Sequence, residues 1–255
     1  MTHLHPWFFE RPLAHRGYHD VASGRPENSR AAFVAAIEAG FGIELDLQLS
    51  SDGQAMVFHD YHLGRLTGEV GAVAPRSAAE LGRIQLTGGA EGIPTLVDVL
   101  DLVNGRTPLL IELKDQDGAL GRNIGLLETA TAEALANYQG PVAVMSFNPH
   151  SVALLAELLP DVARGLTTCG FTQEDWPLVP QATRERLKDI PDYDRIGCEF
   201  ISHEVIDLQN QRVIDLKAAG AAVFCWTIRS VRQEAEARLS VDNITFEGYP
   251  AAIGG

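Results

Sequence analysis

The sequence predicts an eight-stranded α/β barrel of the TIM type, and three observations lead to this fold class. Short apolar runs alternate with longer amphipathic segments along most of the chain, which is typical of parallel strands joined by helical crossovers. About eight such units can be counted, the number that closes a barrel, and 255 residues is an ordinary length for one. No glycine-rich phosphate loop follows the first strand, which disfavours an open dinucleotide-binding sheet.

The individual elements follow from the spacing of apolar residues. Strands are predicted at 11–17, 42–50, 55–60, 108–114, 141–147, 162–167, 195–201, 221–227 and 243–247. The run at 55–60 is interpreted as an extension of the second strand. Helices are predicted where apolar residues recur at helical spacing, at 28–39, 95–103, 121–138, 149–158, 174–188, 208–219 and 231–239.

Two segments depart from this alternation. Residues 61–92 are rich in Gly, Ala and Thr and contain one short helical stretch, which predicts a small insertion at one end of the barrel, suited to a lid. The sequence WFF at 7–9 precedes the first strand and is predicted to plug the N-terminal mouth of the barrel. We therefore expect a single domain, 1–255, that carries one insertion.

Composition restricts the partners and the compartment. With 20 basic and 34 acidic residues the net charge is −14, a field that repels nucleic acid and anionic membranes. Cys169, Cys198 and Cys225 are odd in number and widely spaced, which indicates buried free thiols in a reducing compartment. No signal peptide or membrane-length apolar run is recognisable, so we expect a cytoplasmic protein without stable membrane association. The sequence indicates no oligomeric state.

Acidic side chains interrupt two of the apolar strands. Residues two apart in a strand share a face, so Glu44 projects with Asp46, and Glu112 with Lys114. Three carboxylates converging on one patch would suit Mg²⁺ or Ca²⁺. The alternative is that Glu112 pairs with Lys114 while the other two carboxylates face solvent at a strand end.

Two histidines end apolar runs, where the functional face of a barrel lies. His15 follows the first predicted strand and His59 closes the run at 55–60. Two imidazoles can share acid and base duties at neutral pH, and Arg16 can fork onto phosphate oxygens. Together with a divalent cation these groups indicate a phosphate-ester site rather than a sugar isomerase.

The motifs that carry this chemistry resemble a known family. The segments LAHRG, PEN, IELDLQLSSDG, VFHD and LLIELK, in that order, are similar to those of glycerophosphodiester phosphodiesterases, and GIPTLVDVLDLV, SFNP and VFCWTI extend the resemblance over nearly the whole chain. The family is a TIM barrel with a small insertion after the second strand. The resemblance implies a divalent cation, Mg²⁺ or Ca²⁺, on Glu44, Asp46 and Glu112. It also implies that His15 and His59 act as the acid/base pair and that Arg16 and Lys114 hold phosphate oxygens.

The resemblance leaves one residue open and shows one departure. Glu27 of the PEN motif could ligate the metal directly or through water, or orient His15 or Arg16. The family closes with a DGIITDYP-like stretch, whereas this chain reads VDNITFEGYP at 241–250. We expect the resulting Asn243 and Glu247 to alter the last loop and the substrate preference, and to leave the catalytic core unchanged.

The mechanism implied by the resemblance is attack of the glycerol 2-hydroxyl, which gives a cyclic phosphate that water then opens. His15 is favoured as the first base and His59 as the acid. Trp226 and Phe147 stand at predicted strand ends and are expected either to stack on the glycerol or to fill the barrel mouth. Other polar residues are expected at the rim or in solvent: His203 at the rim, His19, His62 and His150 solvated in loops or at a helix start, and Asp115 and Asp117 in a solvated loop.

Three other functions compete with hydrolysis of glycerophosphodiesters. A lysophospholipase D-like enzyme would use the same chemistry, but it needs an apolar groove, which the insertion's scattered apolar residues do not provide. A barrel that only binds a phosphorylated ligand would have no need of two histidines. A sugar-phosphate isomerase would show a glycine-rich phosphate loop late in the chain, where this sequence has FEGYP.

Overall fold

A computed structural model describes residues 4–253, so residues 1–3 and 254–255 of the predicted domain lie outside the described part. Within it, eight parallel strands close into a barrel because the first strand pairs with both the second and the last. These barrel strands are β1 Leu13–Ala14, β2 Gly42–Leu49, β4 Leu109–Leu113, β5 Val142–Ser146, β6 Ala163–Thr168, β7 Phe200–Glu204, β8 Ala222–Ile228 and β9 Asn243–Phe246. A further strand, β3 Ala55–Val57, pairs antiparallel with β2.

The helices of the described part are α1 Trp7–Glu10, α2 Arg30–Glu38, α3 Ala78–Leu81, α4 Leu96–Val103, α5 Leu126–Leu135, α6 Pro149–Leu158, α7 Gln181–Lys188, α8 Asp192–Ile196, α9 Gln211–Ala218 and α10 Val231–Ala237. Helix α1 precedes the first strand, and the other helices lie between barrel strands, where α8 is additional to those that the sequence predicts. The (β/α)8 fold class is confirmed. None of these helices has the length and apolar character required to cross a bilayer.

Alternation along β2 explains why acidic residues stand within an apolar run. Ile43, Leu45 and Leu47 belong to the large core between strands and helices, so the residues between them point into the barrel. In β4 the same alternation turns Glu112 inward while Ile111 packs outward. The outward apolar residues pack against the helices and stabilise the strands, so polar and charged side chains can occupy the inward positions.

The N-terminal mouth of the barrel is closed by α1. Phe8 is fully buried and stacks on Phe224, with ring centroids 6.5 Å apart, whereas Phe9 remains 41% exposed. Asn243 begins β9 at this end and donates from its amide to the carbonyls of Phe8 and Arg11, both at 2.7 Å. The predicted plug is thus mainly Phe8. The expectation that Asn243 alters the last loop is wrong, because it holds the plug at the opposite end.

The interpretation of 55–60 as an extension of the second strand is wrong. The chain turns back after β2, so that β3 pairs antiparallel and Val57 lies opposite Leu47. Phe58 then donates its N–H to the carbonyl of Asp46 at 2.9 Å. His59 therefore reaches the C-terminal mouth on a returning arm.

The predicted strand at 195–201 is also wrong in its position. Residues Asp192–Ile196 form α8, which ends at Gly197 in the left-handed region with φ of 68°, and β7 begins only at Phe200. His203 consequently lies within β7, fully buried against the Thr168 hydroxyl at 2.7 Å. The expectation of His203 at the rim is wrong.

Residues 61–92 share a small apolar core with residues on either side of them. It brings together Met56, Phe58, Leu63, Val73, Leu81, Ile84, Leu86 and Ile93. Ser77 caps α3 through a complete capping box with Glu80. The insertion is therefore a packed unit seated beside β3, not an unsupported loop.

Candidate active site

A cavity of about 630 Å³ opens at the C-terminal ends of the barrel strands. Its two sides differ in chemistry. Strands β1, β2 and β4, with the arm after β3, supply charged and imidazole side chains, among them His15, His59 and Lys114. The segments after β5 and β6, and the end of β8, supply aromatic rings. We call these the charged side and the aromatic side.

Three carboxylates form the floor of the charged side. Glu44, Asp46 and Glu112 are buried, and one oxygen of each lies within 4.8 Å of the others. Pairing of β2 with β4 places Asp46 directly opposite Glu112. The ammonium of Lys114 contacts Asp46 at 2.8 Å and Glu112 at 2.6 Å. The predicted Glu112–Lys114 pair thus exists, but the other two carboxylates do not face solvent.

The electrostatics of this cluster favour a further cation. Burial raises the pKa of Glu44 well above its usual range, and the neighbouring Asp46 and Glu112 act in the same direction. Burial alone would also raise the pKa of Asp46, but Lys114, with other cationic neighbours, holds it well below its usual value. Among the described lysine and arginine side chains none pairs with Glu44. Three hard oxygen donors, one of which has no cationic side chain as partner within residues 4–253, fit Mg²⁺ or Ca²⁺.

Arg16 and Glu27 form a second layer over the cluster. The Arg16 guanidinium contacts Glu27 at 2.6 Å and Asp46 at 3.3 Å. Glu27 accepts two further hydrogen bonds from Arg65 of the insertion, at 2.8 and 2.9 Å. Glu27 is not part of the carboxylate cluster, so among the roles left open for it, the contacts favour orienting Arg16.

His59 is held through its Nδ1. That atom lies 2.7 Å from Asp60 Oδ1, and Arg65 binds both oxygens of Asp60 at 2.7 Å. Gln48 donates to the carbonyl of His59 at 3.0 Å, which fixes its backbone. Sequence reasoning gave Asp60 and Arg65 no role. The adjacency in VFHD could have indicated Asp60, whereas Arg65 required the fold of the insertion.

His15 is held in the same way from the opposite side. Its Nδ1 lies 2.5 Å from Glu247 Oε2, and Arg229 Nε lies 2.8 Å from Glu247 Oε1. Glu247, expected to affect only the last loop and the substrate preference, therefore contacts one of the two predicted catalytic histidines. His19 lies half-buried, with Nε2 3.8 Å from Glu247, so the expectation that it is solvated is wrong.

The aromatic side is built around Phe147. Its ring lies 5.7 Å from that of Trp226, nearly perpendicular to it, and 4.8 Å from that of Trp176. Phe171 completes the cluster, with its ring centroid 5.4 Å from that of Trp176. The rings of Phe147, Trp176 and Trp226 line the cavity. This position is compatible with both alternatives expected for Phe147 and Trp226, stacking on the glycerol or filling the barrel mouth. Trp176 was missed because it falls within the helix predicted at 174–188, whereas α7 begins only at Gln181.

The remaining polar residues divide between cavity and surface. Asp115 is half-buried at the cavity and accepts from the Asn148 amide at 2.7 Å, so its prediction as a solvated residue is wrong. Asp117 is exposed, as predicted, and His62 is exposed at the cavity edge. His150 lies at the start of α6 but is half-buried, so its prediction as solvated is wrong, and it does not line the cavity.

Fold and cavity together define the class of protein, a TIM-barrel enzyme. The sequence profile of the glycerophosphoryl diester phosphodiesterase family matches residues 15–245. The chain therefore belongs to that family, and the resemblance inferred from its motifs is confirmed.

Individual relatives agree with this assignment. A putative glycerophosphodiester phosphodiesterase of Bacillus subtilis is 29% identical over 252 residues, which cover 94% of this chain and 95% of the relative. A glycerophosphodiester phosphodiesterase of Bacillus altitudinis is 35% identical over 165 residues, which cover 61% of this chain and 65% of the relative. The structure of an Oleispira antarctica phosphodiesterase in complex with its product sn-glycerol-3-phosphate superposes with a TM-score of 0.76, at 27% identity, over 94% of this chain and 93% of that one.

Proposed function

We propose that the protein hydrolyses glycerophosphodiesters to glycerol 3-phosphate and an alcohol. The observation that carries the proposal is the placement of two imidazoles, each held by a carboxylate, beside a buried carboxylate cluster in one cavity. The structural neighbour that holds sn-glycerol-3-phosphate supports glycerol 3-phosphate as the product.

We also propose the cytoplasmic location expected from the sequence. The thiols Cys169, Cys198 and Cys225 are buried and free, and burial raises the pKa of each to about 12, which supports a reducing compartment.

Substrate binding would depend on the cations of the charged side. Arg16 and Lys114 would contact non-bridging phosphate oxygens, while Glu44, Asp46 and Glu112 would hold Mg²⁺ or Ca²⁺. A bound divalent cation supplies charge neutralisation of the phosphodiester. The basic side chains remain protonated, since Asp46 and Glu112 outweigh burial and raise the pKa of Lys114.

The two histidines would exchange protons with the reacting oxygens. His15 accepts the proton of the glycerol 2-hydroxyl, whose oxygen bonds to phosphorus, and His59 donates a proton to the alcohol as its bond to phosphorus breaks. In the second step His59 accepts a proton from water, which opens the cyclic phosphate, and His15 returns its proton to the 2-oxygen. Burial lowers the pKa of His15 to about 4, which leaves it neutral at pH 7 and supports its role as the first base.

The test is release of glycerol 3-phosphate from glycerophosphocholine and glycerophosphoethanolamine, with Mg²⁺, with Ca²⁺ and with a chelator. Release that needs the cation and falls ~10²–10⁴-fold in His15→Ala and in His59→Ala would support the proposal. His150→Ala is the matched control, because His150 lies outside the cavity lining and should retain full activity. Absence of release with either cation would refute the proposal. Lysophospholipids would then be tested, and failure there as well would leave a barrel that only binds phosphorylated ligands.

One observation favours lysophospholipids as a second candidate substrate class. The aromatic side provides the apolar surface that the insertion lacks, and Leu178, 72% exposed, lies beside the loop after β4 at Gly118. An acyl chain could leave the cavity along this surface. If it does, Leu178→Ser should lower release from lysophosphatidylcholine several-fold and leave that from glycerophosphocholine unchanged. Equal effects on both substrates would remove this candidate.

A further inference from the structure

We propose that Glu247 is a positioning residue for His15, which fixes the imidazole with Nδ1–H toward the carboxylate and Nε2 toward the cavity. This inference rests on the proposed function, in which His15 is the first base. It makes the last loop, where the chain departs from the family's usual closing sequence, part of the catalytic arrangement.

The contact follows from closure of the barrel. Strand β1 pairs with β9 so that Ala14 lies opposite Phe246, and the N–H of His15 donates to the carbonyl of Phe246 at 2.9 Å. The next residue along each strand is then a neighbour of the other, although 232 positions separate them in sequence. Glu247 donates its own N–H to the carbonyl of Ile228 at 2.9 Å. Backbone hydrogen bonds therefore fix the positions of both residues independently of the contact between their side chains.

The carboxylate of Glu247 is held at both oxygens. Oε2 contacts His15 Nδ1 at 2.5 Å and Oε1 accepts from Arg229 Nε at 2.8 Å, while His19 Nε2 lies 3.8 Å from Oε2. Glu247 is 21% exposed, so solvent screens these contacts only in part. The ion pair with Arg229 restricts rotation of the Glu247 carboxylate. A positioning residue must be restricted in this way, because a carboxylate that moved with the imidazole could not fix its orientation.

The direction of the hydrogen bond selects one tautomer. The pKa of Glu247 lies well below its usual range because the hydrogen bond from His15 stabilises its charged form, with Arg229 acting in the same direction, so the side chain is an ionised acceptor. Nδ1 of His15 must then carry the proton. Since the neutral ring holds one proton, Nε2 keeps its lone pair on the side that lines the cavity.

The arrangement around His59 is the counterpart of this one. There Asp60 accepts from Nδ1, and Arg65 grips the carboxylate. In both cases Nδ1 of the histidine contacts a carboxylate, and an arginine contacts that carboxylate from its other side. The two arginines come from unrelated segments, the insertion and the loop after β8, so the shared pattern does not arise from a common local motif.

Kinetics of Glu247→Gln and Glu247→Ala test the proposal, with glycerophosphocholine as substrate. Loss of an orienting carboxylate lowers the turnover of a histidine base by up to ~10⁴-fold, and we expect kcat to fall at least ~10-fold with KM changed less than threefold. Asp242→Asn is the matched control. It removes a carboxylate at the other end of β9 that is 33% exposed and paired with Lys217, and it should leave kcat unchanged. Retention of wild-type kcat in Glu247→Ala would overturn the inference.

A spectroscopic readout separates positioning from general structural support. Ring nitrogen shifts of His15, recorded by NMR on ¹⁵N-histidine-labelled protein at pH 7, should show the Nδ1–H tautomer in the wild type and a mixture in Glu247→Ala. An unchanged tautomer with lower activity would overturn positioning. If the wild type releases no glycerol 3-phosphate, the proposed function fails, while the NMR result still decides whether Glu247 fixes the ring.

Discussion

Glu27→Gln offers a sharp test of how the charged side is organised, because it separates phosphate binding from cation binding. Glu27 contacts the guanidiniums of Arg16 and Arg65 and lies outside the carboxylate cluster. The change keeps the volume of the side chain and removes its charge. We expect Arg16 to lose its close partner, keeping only Asp46 at 3.3 Å, while the carboxylates of the cluster are unaffected.

The magnitude follows from the contact that is lost. A hydrogen bond to a charged group contributes ~1.5–3 kcal/mol, and each ~1.4 kcal/mol corresponds to a factor of ten. Loss of the contact at 2.6 Å should therefore lower kcat/KM by roughly 10- to 150-fold. Part of the effect would reach His59, because Arg65 binds both Glu27 and Asp60.

The assay combines release of glycerol 3-phosphate with calorimetric titration of Mg²⁺ and of Ca²⁺. In Glu27→Gln the cation dissociation constant should stay within threefold of the wild type while kcat/KM falls. Glu69→Gln is the control, since Glu69 pairs with Arg76 in the same insertion and is half exposed away from the cavity. A tenfold weaker cation affinity in Glu27→Gln would refute the reasoning and make Glu27 a ligand.

Two further predictions concern pH and stability. Burial lowers the pKa of His15 to about 4 from 6.5, so its stabilising effect is complete above pH 6.5 and is lost as the pH falls toward 4. The effect amounts to about 3 kcal/mol. An NMR titration in chelator should show the ring midpoint near 4, and His15→Gln should show a smaller loss of thermal stability over this range. Phe8→Ala removes a fully buried ring and should cost ~3–5 kcal/mol, or roughly 6–20 °C in Tm. Phe9→Ala, at a ring 41% exposed, should shift Tm far less, and equal shifts would show that Phe8 does not plug the barrel.

The sequence determined the barrel and the charged side because both depend on local periodicity. Alternation alone places Glu44 with Asp46, and Glu112 with Lys114, on shared strand faces. The outward packing of Ile43 and Leu45 in the structure is what turns the first pair into the barrel and not to solvent. The convergence of the three carboxylates within 4.8 Å needed only the neighbouring register of β2 and β4.

What could not be predicted depends on contacts between distant segments. Glu247 meets His15 through closure of the barrel, and Arg65 meets Glu27 through the fold of the insertion. Neither contact leaves a periodic pattern in the sequence. His203 was misplaced for a different reason, because an apolar run that includes Ile196 was interpreted as one strand when it spans the end of a helix, a turn and the start of a strand.

The two sides of the cavity come from different stretches of the chain. Residues 15–114, with the end of β9, supply the groups proposed for proton transfer and phosphate binding, whereas Phe147, Trp176 and Trp226 all come from the middle and later part. Mutations at Phe147 and Trp176 can therefore reshape the aromatic side while the groups proposed for proton transfer stay in place. Selection for new substrates can thus act on the segments after β5 and β6, which supply none of the groups proposed for turnover.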